Sequence, residues 1–143
     1  MTMHKQISAI ALALGATFSA GAFAADGMSR EAYKAEKDKI EATAKSDKKA
    51  CDGMKDNAKD ICQAEAKAKE KVAKAELDAR NKPGAKADEN LALMKAEGAY
   101  EVAKEKCEDN KDNAAACKKD AKTAYDKVKA DVRATARTTD KKS

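Results

Sequence analysis

Four cysteines, at positions 51, 62, 107 and 117, are the side chains of this 143-residue chain best suited to chemistry. A thiol serves as nucleophile, redox partner or metal ligand, and each role has its own spacing and neighbours. Redox pairs keep two residues between the sulfurs; here ten residues separate the first pair and nine the second. Metal-knuckle pairs are missing as well, so Cys51, Cys62, Cys107 and Cys117 read as structural disulfides. The single histidine, His4, lies in an N-terminal segment expected to be removed. Without it the chain has no imidazole for a Ser-His or Cys-His nucleophile, a His-ligated zinc or a pH switch. Tyr33, Tyr100 and Tyr125 stand at helical spacing among alanines and read as core plugs, and isolated carboxylates on the same segments read as solvated groups. No catalytic, cofactor-binding or metal-binding residue is assigned, and no enzyme is expected.

The N-terminal segment has the pattern of a secretory signal peptide. Lys5 precedes an uncharged run from Ile7 to Phe23, which ends in Ala22-Phe23-Ala24-Ala25. The small residues Ala22 and Ala24 place the cut between Ala24 and Ala25, dividing the chain into a signal peptide, 1–24, and a helical domain, 25–143. The alternative is an uncleaved anchor, and the run sits at the lower edge of the ~17 to 25 apolar residues a spanning helix needs. No cysteine lies near its end to take a lipid, and no other apolar run follows, so a soluble mature chain without a membrane span is expected.

Composition then limits the interior. The whole chain has 30 basic and 25 acidic residues; losing the signal peptide removes Lys5 and no acid, leaving 29 against 25. These charges are interleaved, which argues for solvated helix faces and against a patch for specific nucleic-acid binding. Beyond residue 24 the larger apolar side chains are nine Val, Ile or Leu, three Met and three Tyr. So thin a core cannot wall a deep ligand cleft.

The elements that hold the cysteines are helical. Ala, Lys and Glu dominate from Ser29 to Ala50, and all three favour helix. A turn cluster, Asp52 to Asn57, follows, with Asn57 placed to cap a second helix from Ala58 to about Asn81. Lys82-Pro83-Gly84 stops that helix. A third runs from Lys86 to Cys107, with Leu93, Ala96, Tyr100, Ala103 and Cys107 on one face. After the turn formers 108–113 a fourth begins at Ala114, with Cys117, Ala121, Tyr125, Val128 and Val132 facing inward, and residues 136–143 form a frayed tail. Acid-first pairs Glu41 with Lys45, Glu65 with Lys69, Glu70 with Lys74 and Asp78 with Lys82 support their own helices. The fold class is therefore all-α: two helix-turn-helix hairpins, each stapled by a disulfide, in an elongated or loosely packed bundle.

The hairpins look duplicated. Cys51 to Ala58 aligns with Cys107 to Ala114, and Asp-Asn-Ala recurs at 56–58 and 112–114. Repeat one covers about 29–82 and repeat two about 85–135. Were 51–62 a single helix, about 16 Å of axial rise would separate its cysteines, too far for a bond. Local pairing, Cys51 with Cys62 and Cys107 with Cys117, thus needs a reversal within each interval, and each interval contains a turn cluster. The competing arrangement is one long hairpin folded at Pro83-Gly84, where Cys62 meets Cys107 and Cys51 meets Cys117. That arrangement resembles the twin-cysteine hairpins of the coiled-coil-helix-coiled-coil-helix family. It would keep Gly53 helical at a cost of about 1 kcal/mol, with less for each Asn and Asp, and propensity favours the local staples.

The stretch Ala50-Cys51 through Asn57-Ala58-Lys59-Asp60-Ile61-Cys62, followed by Glu65-Ala66-Lys67 and Lys71-Val72-Ala73-Lys74-Ala75-Glu76, resembles a group of small exported proteobacterial Ala/Lys-rich proteins of unknown function. Some of these are described as cell envelope biogenesis protein TolA-like. The resemblance implies a Gram-negative periplasmic location and supplies no catalytic residues. Three functions fit the sequence: a non-enzymatic envelope protein contacting other proteins or peptidoglycan, a hydrophilic stress-protective protein, and a weak binder of anionic envelope polymers.

Overall fold

A computed structural model describes residues 27–140. The expected signal peptide, 1–24, with its cleavage pair Ala24 and Ala25, and the last three residues of the tail lie outside the described residues. Four helices follow in order: α1 (Arg30–Ala50), α2 (Asp56–Asn81), α3 (Ala85–Cys107) and α4 (Ala114–Asp140), with a single 3-10 turn at Cys51–Gly53 after α1. Among the described residues there is no strand.

Each boundary has a local cause. The Ser29 hydroxyl accepts from the Ala32 N–H at 3.1 Å, capping α1, while Glu31 in the first turn and Lys48 and Lys49 in the last complement the helix dipole. Between α1 and α2 the backbone straightens at Met54 and Lys55, then takes a left-handed conformation at Asp56, φ 50°, one of the few side chains that tolerate it. Gly84 has φ 151°, a region open to glycine, and its carbonyl accepts from the N–H groups of Ala87 and Asp88 to start α3. Helix α4 passes residue 135, where the sequence reading ends it, and continues to Asp140. Its Thr135 and Thr138 hydroxyls donate back to the carbonyls of Asp131 and Thr135 at 3.0 and 2.7 Å, so they do not compete with the helix.

The helices associate only with their neighbours in sequence. Between Cα atoms, α1 comes within 8 Å of α2 but not of α3 or α4, and α4 within 8 Å of α3 alone. Helical periodicity explains how α2 and α3 accept two partners. Ala66 of α2 lies in the α1–α2 seam beside Ile40 and Ala44, whereas Ala68 meets Gly98 of α3; two residues turn the helix by about 200°. Likewise Gly98 of α3 touches α2 and Tyr100 stacks on Tyr125 of α4. Opposed contact faces line the helices up as a single open layer.

The interior is correspondingly small. Among the described residues the buried apolar ones are Ala44, Cys51, Ala66, Ala75, Leu77 and Cys107, and of the larger side chains there only Leu77 and Cys51 are fully enclosed. The tyrosines are not core plugs. Tyr33, Tyr100 and Tyr125 are all half-buried, because a layer one helix thick has seams and no centre. Val128, expected inward, is 44% exposed.

Close approach of α2 and α3 depends on Gly98. A β-carbon there would stand 2.9 Å from the Ala68 Cβ and 3.4 Å from its Cα, so the helices would have to separate. Replacing Gly98 with Leu is expected to lower unfolding free energy by about 1 to 3 kcal/mol. Gly53→Ala, at a site with no heavy atom within 4 Å, should be neutral or slightly stabilising. Urea denaturation of both variants checks the pair.

Candidate interaction surface

The four cysteines all lie at one end of the layer, since antiparallel order brings the C-termini of α1 and α3 beside the N-termini of α2 and α4. Cys51 is bonded to Cys62 and Cys107 to Cys117, with Cα atoms 5.7 and 5.6 Å apart, and no cysteine is free. These are the local staples, and each joins the end of one helix to the first turns of the next. The hairpin folded at Pro83-Gly84 is also present, as the α2–α3 pair, so Cys62 and Cys107 do lie at similar heights. Their rotation forbids the alternative bond. Cys107 is nine residues from Gly98, about 180° away from the face that touches α2, and Cys62 is about 120° from Ala68.

Asn57 ties the two necks together. Its side-chain amide donates to the Glu105 carbonyl at 2.8 Å and to Asp109 Oδ1 at 2.7 Å. It is therefore not the cap of α2, which begins one residue earlier at Asp56 with Lys55 in the cap position and no side-chain cap. The amide has more to satisfy at the exposed end of α3, where the last carbonyls lack helical partners.

Charged side chains span the seams as often as they support their own helices. Of the four acid-first pairs, only Glu70 with Lys74 forms, at 2.8 Å. Glu41 instead reaches Lys74 across the α1–α2 seam at 3.4 Å, Lys69 takes Asp47 at 4.0 Å, and Glu65 takes Lys106 of α3 at 3.2 Å. Asp78 accepts the Tyr33 hydroxyl at 2.5 Å, which raises the tyrosine's pKa. Lys71 with Glu97 at 2.6 Å and Lys95 with Glu76 at 3.2 Å complete the α2–α3 set. The sequence pattern placed these charges correctly on the helices, but it cannot say which neighbour a long side chain will face.

Glu70 is the most embedded of these carboxylates, with its side chain 20% exposed between Lys48 of α1, at 2.6 Å, and Lys74. Hydrogen bonds from Lys48 and then Lys74 hold its carboxyl below the usual 4.5. The Glu97 carboxylate raises Lys71, and Glu70 raises Lys74, by the same kind of bond.

Both faces of the layer are grooved. On one side a groove of 420 Å³ runs between α2 and α3 over Ala68, Ala99, Val102 and Ala103, and a second continues beside it past Val72 and Ala73. On the other side lies a groove lined by Gln63, Ala64, Lys67, Lys71, Glu101 and Glu105, and next to it a cleft of 570 Å³ between α1 and α2. That cleft is lined by Lys45, Lys48, Lys49, Asp52, Gln63 and Lys67. Among the described residues no group of three His, Cys, Asp or Glu side chains is arranged to hold a metal, and no helix is long and apolar enough to cross a membrane. No family model matches the chain, and neither the curated proteins nor the solved structures give a match.

Two measurements test these contacts. Each staple closes a short loop worth ~2 to 3 kcal/mol of unfolded-state entropy, so a strong reductant should lower the melting temperature by on the order of 15 °C or more. An unchanged melting point would show that packing alone holds the helices. A carboxyl whose pKa is lower folded than unfolded stabilises the fold above its unfolded value and ceases to do so as pH falls through the folded one. Stability should therefore drop on acidification below about pH 4.5. Glu70→Gln should be less stable at pH 7 and show a shallower acid limb in denaturation measured at each pH.

Proposed function

We propose that this protein is a non-enzymatic cell-envelope protein, exported to the periplasm of a Gram-negative bacterium, that works by binding other proteins across the faces of its helical layer. The observation that carries this reading is the linear order of the helices. In a closed four-helix bundle the apolar stripes face one another; here Val72, Ala99, Val102 and Ala103 line a groove along the α2–α3 pair that no further helix among the described residues covers. Two disulfides accord with an oxidising compartment, periplasmic or extracellular, and the signal-peptide pattern of residues 1–24 supports export. The similar spans of the two staples, 11 and 10 residues, support reading the hairpins as an internal duplication.

Contact through a defined face differs from diffuse shielding of clients by a hydrophilic protein. A photoreactive residue placed at Ala99, on the grooved face, should give discrete cross-linked bands in the intact envelope. The same residue at Ala42, on the outer side of α1, should give few. Equal, unresolved smears from both positions would overturn the contact reading in favour of the protective one.

A further inference from the structure

The cleft between the last turns of α1 and the first half of α2 differs from the other grooves in its charge. Lys45, Lys48 and Lys49 approach from α1 and Lys67 from α2, with Gln63 between them. Opposing them are Asp52 at the rim and Glu70, which is bonded to Lys48. Lys45, Lys49 and Lys67 have no ion pair among the described residues, although Glu41 stands one turn before Lys45 and is drawn to Lys74 instead. The interhelical pairing that holds the layer together thus leaves three ammonium groups around one cleft.

We propose that this cleft binds a linear polymer bearing phosphate groups. Lys45 and Lys49 lie one helical turn apart, about 6 Å along α1, and Lys67 faces them from α2, so the charges border a channel rather than converge on a point. The site is beside the C-terminal turns of α1, where exposed carbonyls repel anions and no N–H cradle forms. A single small anion would therefore gain little, whereas a polymer gains from several weak charge contacts at once. No arginine lines the cleft, so the fork that serves carboxylate and phosphate alike is missing, and the lysines act as compact point charges, the mode in which lysine binds phosphate. A concave site between two helices admits a narrow strand, with Lys45, Lys49 and Lys67 exposed along its borders. The inference is independent of protein contact through the apolar face.

Titration of the full mature chain with short-chain linear polyphosphate, followed by amide NMR, tests it. Shifts are expected at residues 45–52 and 63–67, with affinity falling steeply as salt rises. The variant K45Q/K49Q/K67Q should bind about tenfold more weakly or worse, while K37Q/K86Q/K119Q, with the same net charge, should bind within about twofold of the parent. Circular dichroism of both variants establishes that the helices remain. Equal losses in the two variants would overturn the proposal by showing a response to net charge only. Equal affinity for poly-glutamate would overturn the choice of phosphate, and binding to anionic-lipid vesicles without binding to polyphosphate would assign the lysines to a membrane surface. Cross-linking from Ala99 that persists in K45Q/K49Q/K67Q would leave the protein-contact reading standing whichever way the titration falls.

Discussion

The bonds Cys51–Cys62 and Cys107–Cys117 hold consecutive helices together in a molecule where, among the described residues, Leu77 is the one large aliphatic side chain fully enclosed. A helical domain ordinarily excludes water by placing a third and fourth helix over the first two. Here alanine supplies most of the apolar surface, and a methyl group buries too little area to draw a distant helix in. Sequence neighbours, already tethered by short loops, lose least entropy on pairing. The result is a layer in which each contact is local, both loops at one end are covalently closed, and the opposite end depends on the Pro83-Gly84 turn and the Tyr33–Asp78 bond.

That arrangement explains why ion pairs matter in an otherwise solvated structure. Exposed pairs contribute little one by one. The set formed by Lys48, Glu70, Lys74 and Glu41 is different, because it bridges two helices repeatedly along one seam and includes a carboxylate partly removed from water. Small side chains permit this. Ala66, Ala68 and Gly98 let the backbones approach closely enough for lysine and glutamate stems to reach across. Glu41, recruited across the seam by Lys74, is withdrawn from Lys45 of its own helix, and Lys45 together with Lys49 and Lys67 gives the α1–α2 cleft its positive character.

The two disulfide arrangements open to the sequence turn out to differ in rotation rather than in height. Cys62 and Cys107 sit at similar levels on the α2–α3 hairpin, yet each points toward its outer neighbour. Axial position follows from counting residues about a turn. Rotational position depends on where the contact face falls, and that was fixed by Gly98 against Ala68, a pair of small residues with no conspicuous signal among so many alanines.

Helix number and most boundaries, including Asn81 and Cys107 as last residues and Ala114 as a first, follow from the sequence because propensity, caps and turn formers are local physics. So does the local cysteine pairing, since Gly53 and its neighbours interrupt the helix between Cys51 and Cys62. What local physics cannot supply is the neighbour each face meets. Asn57 reads as a cap and acts as a tie between necks; Tyr100 and Tyr125 read as core and stack in a half-open seam; Glu41 and Glu65 read as partners for their own helices and reach across to others. Only the tertiary structure decided these, because a helix with two opposed apolar stripes is compatible with a bundle and with a layer. The choice between them depends on how much greasy area remains to be covered after the first neighbours have packed.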